Sequence, residues 1–296
     1  MATDLPPSLD PVAARRWQAR APAASPWLHE EVGRRMAERL EWIRLAPRQW
    51  VDWEPVRGGL AAHALVQARY PQAACTAVEP VPARAEAARA ALARPWWKRW
   101  GAGLEFTDPA PGAAQMLWSN MALHDAPDPQ ALIARWHAAL ATDGFLMFSC
   151  LGPDTLRELR ALYLALGWPP PAHEFTDMHD WGDMLVHAGF AEPVMDMERI
   201  TLTWGSPQAL LDELRGLGTN LATARFPGLR GRGWRESLLR ELSARLAGSD
   251  GRLALTFEII YGHALKPAPR VKVASESAVS LRDMQQLLQS GRKLGR

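Results

Sequence analysis

The sequence predicts a doubly wound α/β sheet. Three observations carry the prediction. Short apolar runs alternate with helical stretches from residue 50 onward. The first run, Trp50-Val51-Asp52-Trp53, leads into a Gly-Gly pair. The run 145–151 (FLMFSCL) is apolar almost throughout, as a strand covered on both faces must be.

The elements follow in order. Residues 1–25 are rich in Pro, Ala and Arg and read as an arm. Residues 28–44 place Leu28, Val32, Met36, Leu40 and Ile43 at helical spacing. After the first strand comes the helical stretch 60–70, then a strand at 75–79 ending in Glu79 and a helix over 83–93. Further strands are expected at 104–108 and 116–119, a helix at 129–140, and a strand after the Asp143-Gly144 turn. A helix at 154–166 and another at 180–188, closed by Gly189, precede two strands at 193–204 and 253–265. The stretch between those strands, helical at 206–216 and 234–247, is too long for a simple connection and reads as a lid or partner surface. The expected division is an arm and helix (1–45), a core (46–204), a helical insert (205–252), a final core strand (253–266) and a basic tail (267–296) with one further helix.

Composition excludes several function classes. With 34 basic against 32 acidic residues in a chain of 296, there is no basic excess for nucleic-acid binding. No apolar run is long enough for a membrane span, and MATDLPPSLD is not a signal peptide. Two cysteines, Cys75 and Cys150, imply neither a disulfide framework nor a zinc site and favour the cytoplasm. The spacings of His173, His179 and His187 match no metal pattern, so no metal is expected. The 14 Trp, against 3 Tyr and 7 Phe, are in excess. Trp42, Trp136 and Trp181 are expected in the core, whereas Trp17, Trp27, Trp50, Trp53 and Trp118 fall around the expected cleft. Trp96, Trp97 and Trp100 have no assigned role.

In a doubly wound sheet, ligands bind beyond the carboxyl ends of the strands where strand order reverses. The turn after the first strand needs glycine for close approach to a cofactor, and an acid ending the second strand accepts from ribose hydroxyls. Glu79 stands about 20 residues after Gly59, the spacing that arrangement requires.

Several segments together carry a family resemblance. They are LHEEVGRRMAERL near the start, Trp118-Ser119-Asn120-Met121-Ala122-Leu123, the stretch from Asp143 to Leu159, LLDELRGLGTN (210–220) and LTFEIIYGHALKP (255–267). Over roughly residues 12–267 the chain resembles the class I S-adenosylmethionine-dependent methyltransferases of the biotin-synthesis type, which methylate malonyl-acyl carrier protein. The resemblance implies a Rossmann-like seven-stranded sheet with the last strand antiparallel, S-adenosylmethionine as cofactor, and methyl transfer to the free malonyl carboxylate. It places Asp52, Glu54, Gly58, Gly59, Glu79, Asp108, Ser119 and Asn120 at the cofactor. An ionised carboxylate needs no general base, so no catalytic residue is assigned; His124 is a candidate cleft residue.

The first glycine motif departs from the family's V-L-D-x-G-C-G-T-G. Glu54 and Val56 stand at its two central glycines and Pro55 removes a backbone donor. Val tolerates positive φ poorly, so the loop must take another path, and cofactor binding is expected to be weakened; glycine at 54 and 56 should strengthen it. Gln115 replaces the acid that opens the fourth strand, and Trp17 and Trp27 flank the place of the family's missing tyrosine. Two readings follow: an active methyltransferase with a rebuilt loop, or a degenerate, non-catalytic relative that binds a carrier or other protein. The persistence of Glu79, Asp108 and the Trp-Ser-Asn strand favours the first. Arg225, Arg230 and Arg232 in the insert suit an acidic acyl carrier protein.

Overall fold

The computed structural model describes residues 9–92 and 104–268. Trp96, Trp97 and Trp100, and the expected helix in the tail, lie outside the described residues. Seven strands form one sheet: β1 (Gln49–Trp53), β2 (Ala74–Val78), β3 (Leu104–Phe106), β4 (Ala114–Asn120), β5 (Leu140–Leu151), β6 (Ala191–Trp204) and β7 (Leu253–Leu265). Their order is β3-β2-β1-β4-β5-β7-β6. Pairing is parallel from β3 to β5, and β7 runs antiparallel to both β5 and β6. The order reverses between β1 and β4, so the carboxyl ends of those strands form the crevice.

Alternate residues of each central strand face opposite layers. Trp50, Met116, Trp118, Phe145 and Met147 pack into one cluster, while Val51, Leu117, Leu146 and Phe148 pack into the other. The first layer includes α2 (Trp27–Arg39) and α4 (Leu60–Arg69), and the second includes α6 (Pro129–Ala139) and α8 (Met178–His187). Between β1 and α4 lies one short turn of helix, α3 (Pro55–Gly58), and α5 (Pro82–Ala91) follows β2. Helix α7 (Arg157–Ala165) precedes α8, whose end is closed by Gly189 at φ 98°. The insert holds α9 (Pro207–Leu217) and α10 (Arg232–Leu246).

Three local features differ from expectation. The arm contains a helix, α1 (Pro11–Arg20), which Asp10 caps by accepting from the Val12 and Ala13 amides. The helix over 28–44 stops at Arg39 and tightens into a 3-10 turn, Leu40–Trp42. That tightening turns Trp42 outward, 87% exposed, so it is not a core residue. Trp136 and Trp181 are buried, as are Trp50 and Trp118.

Helix α2 reaches the sheet because Gly33 lets it come close. A Cβ at Gly33 would overlap Ala62 of α4 and press on the Asn120 amide. Ala gains about 1 kcal/mol of helix propensity over Gly, but overpacking a tight core costs about 1–3 kcal/mol. The overlap is with the Ala62 Cβ, which has no rotamer to yield, so the cost falls at the upper end. Gly33→Ala is therefore expected to lower the unfolding free energy by about 2 kcal/mol in urea titration, and an unchanged or raised midpoint would show that α2 does not depend on this close approach.

Candidate functional site

The carboxyl ends of the strands open onto a cavity of about 790 Å3, a volume suited to a nucleoside-sized ligand. Trp53 and Glu54 line it after β1, Glu79 after β2, Phe106 and Asp108 at the end of β3, and Asp125 after β4. Helix α1 supplies a further wall through Ala14, Trp17 and Gln18. The arm that carries α1 is held by the insert. The Asp10 amide donates to the Leu221 carbonyl at 2.9 Å, and Arg225 pairs with the Asp10 carboxylate at 2.6 Å.

The loop after β1 resolves the difficulty posed by its sequence. Val56 lies within α3, and the left-handed conformation falls on Glu54, at φ 57° and ψ 54°. That conformation costs an L-residue roughly 1–2 kcal/mol. The surrounding structure supplies the compensation. Asn120, buried at the end of β4, donates its side-chain amide to the carbonyls of Gly58 and, at 2.7 Å, of His29. Its oxygen accepts from Ser149 of β5 at 2.6 Å. The Arg57 carbonyl accepts from His29 Nδ1 at 2.7 Å, which places that ring's proton on Nδ1. The Arg57 guanidinium donates to the carbonyls of Ala24, Gly216 and Leu217 and lies over the Trp17 ring, 5.4 Å from its centroid. One side chain thus joins the loop, the arm and the insert.

Acids and arginines are equally represented on the cavity wall, and three of the acids, Glu54, Glu79 and Asp125, are shifted by burial. Glu79 has a fully buried side chain whose two oxygens face the Val56 and Val81 amides without reaching hydrogen-bond geometry. Arg84 lies beside it at 3.2 Å and donates to the Gln18 carbonyl of α1. Burial pushes Glu79 above the usual carboxylate range, against the pull of Arg84. Burial, then the charge of Glu79, pushes Glu54 up to about 7. Asp125 is likewise pushed up by burial, opposed by His173, Arg57 and the Trp17 indole N–H. His124 stands behind it, with its Nδ1 accepting from the Leu151 amide; burial and then Arg57 push it down to about 3, so the ring is neutral.

The structure brings Glu54, Glu79, Asp108 and Trp17 to the cavity wall. Asp108 is exposed there and pairs with Arg135 at 3.3 Å. Asp52, Gly58, Gly59, Ser119 and Asn120 stand behind the wall and hold it. Asp52 is buried against His63 at 2.7 Å. Gly58 packs on the Asn120 backbone, and Gly59, at φ 118°, leaves room for the Glu30 carboxylate, which accepts from the Ala62 amide of α4. Ser119 is fully buried. Trp27 is 58% exposed and does not line the cavity. In the insert, Arg225 is engaged with Asp10, Arg230 stacks on Phe226 and Trp234, and Arg232 is exposed. Arg57, Arg84, His29 and Gln18 were not singled out by sequence, since each acts on a carbonyl or carboxylate remote along the chain. Among the described residues, no group of three or more His, Cys, Asp or Glu side chains is placed to hold a metal ion.

The chain is 41% identical over 254 residues to a malonyl-acyl-carrier-protein O-methyltransferase of Laribacter hongkongensis, covering 82% of this chain and 84% of that one. It is 39% identical over 259 residues to a protein of the same name from Gallionella capsiferriformans, covering 84% and 87%. Comparison with protein-family models gives no match. Among solved structures, the YcgJ protein of Bacillus subtilis shares the fold, with a TM-score of 0.52 and 13% identity over 79% of this chain and 98% of that one.

Arg57→Met keeps the apolar stem and removes the donors to three carbonyls. Losing charged hydrogen bonds and orphaning their acceptors is expected to cost about 2–3 kcal/mol. Amide exchange in α1 and at residues 216–217 should accelerate at least about tenfold, as a loss of that size implies if these segments open locally. Unchanged exchange in α1 would show that Arg57 does not hold the arm.

Proposed function

The chain belongs to the malonyl-acyl-carrier-protein O-methyltransferase family, and from that premise we propose that it methylates the free carboxylate of a malonyl thioester on acyl carrier protein, using S-adenosylmethionine. The observation that carries this reading is the Glu79 carboxylate. It is fully buried on the wall of a cavity at the strand-order reversal, ion-paired with Arg84 at 3.2 Å but with neither oxygen accepting a well-formed hydrogen bond from the protein. A buried carboxylate short of well-aligned donors is costly. The two hydroxyls of a ribose are the donor pair it lacks, so the residues present fit the cofactor. Phe106, Asp108 and Leu132 line the part of the cavity next to the end of β3 and extend the same wall.

When bound, S-adenosylmethionine supplies an electrophilic methyl group on a sulfonium. The protein's residues have a modest chemical task, because a malonyl carboxylate is ionised at neutral pH and no proton has to be removed. They must orient the acceptor oxygen and exclude water. Helix α1, latched by Asp10 to the insert and crossed by Arg57, covers the cavity and serves both ends. His124 and His29, each pushed down to about 3 by burial, are neutral and act as packing and hydrogen-bonding groups rather than as bases.

The carrier protein is proposed to dock on the insert. There Leu229 is fully exposed beside Phe226, and Arg232 is exposed at the start of α10. This pairing of apolar and basic groups suits an acidic partner. The cytoplasm is the proposed compartment, a reading that two buried, unpaired cysteines support. Among the described residues, no helix is long and apolar enough to cross a membrane.

Labelled S-adenosylmethionine is expected to transfer its methyl to malonyl-acyl carrier protein and not to acetyl-acyl carrier protein, which lacks the free carboxylate. Glu79→Ala should weaken cofactor binding roughly 10- to 100-fold, the equivalent of losing a charged hydrogen-bond pair. Cofactor binding without transfer to the malonyl carrier would overturn the substrate assignment. Binding unaffected by Glu79→Ala would overturn the assignment of the ribose site.

A further inference from the structure

Glu54 occupies the position at which the family resemblance calls for glycine, and it does so in the left-handed conformation that glycine favours. Its carboxylate is not needed to build the loop. It makes no capping bond to α3, and its side-chain hydrogen bond is a long one, 3.5 Å, from Gln18 of α1. Three of the loop's amides are taken within the protein. The Glu54 amide donates to Val78, the Gly58 and Gly59 amides donate to the carbonyls of Glu54 and Pro55, and Pro55 has no N–H.

The charges around Glu54 do not balance. Facing it are Glu79 from the end of β2 and Asp125 from the turn after β4, with Arg84 of α5 and Arg57 of α3 as the nearby cations. Arg84 is paired with Glu79, and the Arg57 guanidinium is directed at three carbonyls. Around Glu54, three carboxylates thus meet two guanidiniums, both already engaged; the other charged residues of the wall, Asp108, Asp128, Arg15, Arg89 and Arg135, are not among the groups that act on it. This end of the cavity is short of one positive charge, and Glu54, whose side chain accepts only from the neutral Gln18 amide, makes no ion pair.

We propose that Glu54 is the counter-charge for the cationic part of the bound cofactor, so that a side-chain carboxylate does here what a glycine loop does with its backbone. This rests on the reading of S-adenosylmethionine as the cofactor. Burial and Glu79 hold Glu54 up at about 7 when no cation is present, and a cation placed beside it pulls it back down. Binding therefore expels a proton. Below the bound-state value Glu54 is protonated with or without ligand, and affinity is low. Affinity climbs as pH rises toward 7 and levels off above it, because the carboxylate is then already charged. The glycine pattern alone leads to the opposite expectation, that glycine at 54 strengthens binding.

The test is calorimetric titration of the full chain with S-adenosylmethionine at pH 6 and pH 8, in buffers of different ionisation heat. The wild type should release most of a proton at pH 6, where a group poised at about 7 is mainly protonated before the cation arrives, and much less at pH 8. Glu54→Gln, checked for an unchanged melting temperature, should release none through this site and bind about tenfold more weakly at pH 8. Glu54→Gly should also lose the release while melting no lower than the wild type. S-adenosylhomocysteine, which lacks the sulfonium but keeps the α-ammonium, tells the two cations apart: persistence of the release assigns the ammonium, and its loss assigns the sulfonium. Equal proton release and affinity in wild type and Glu54→Gln would overturn the proposal while leaving the cofactor assignment standing. No binding by the wild type would overturn both.

Discussion

Four elements meet at one buried amide. Asn120 ends β4, binds the carbonyls that α2 and the β1–α4 loop turn inward, and is itself held by Ser149 of β5. The His29 carbonyl lies in the first turn of α2 and the Gly58 carbonyl at the end of α3, and the two N–H groups of the one amide tie them together. The chain then bends sharply at Met121, φ 59°, whose amide is taken by Ser149. The cavity begins at this bend. Asn120 thus holds the loop from below, beside the His29 bond to the Arg57 carbonyl and the Glu54 amide's bond to Val78.

The same logic extends outward. Gly58 and Gly59 are small because Asn120 and Glu30 come close to them, a packing role rather than direct contact with the cavity. Arg57 carries the constraint from the loop to the arm and the insert, and Arg225 closes the circuit through Asp10. The loop thus keeps its place by side-chain contacts with distant segments. A glycine-rich turn keeps its place by backbone freedom, so the altered motif trades one means of positioning for another.

Much of this was legible in sequence and some was not, for identifiable reasons. Strands β1, β4 and β5 announce themselves because both faces are covered and apolar residues run without alternation. Glu79 could be located from its distance to the glycine pair alone, since the βα unit has a nearly constant length. Helix α1 was invisible because it buries a single hydrophobic residue, Ala14, and so shows no apolar stripe. Trp42 was misplaced because a change from α to 3-10 winding rotates a side chain without leaving a mark on the spacing. Arg57 carries no such signal. Its partners, Gly216 and Leu217, lie some 160 residues away, and a guanidinium reaching carbonyls has no sequence signature. Arg225 and Arg230 read as a free basic cluster but are engaged within the molecule, which leaves Arg232 as the exposed member.

The central claim is that the rebuilt loop still presents a nucleoside site without changing shape. A crystal structure with S-adenosylhomocysteine tests it directly. The account predicts both ribose hydroxyls on the Glu79 carboxylate, Glu54 still at positive φ, and the Asn120 bonds to Gly58 and His29 intact. A ribose seated away from Glu79, or a loop refolded around the ligand with those bonds broken, would contradict it.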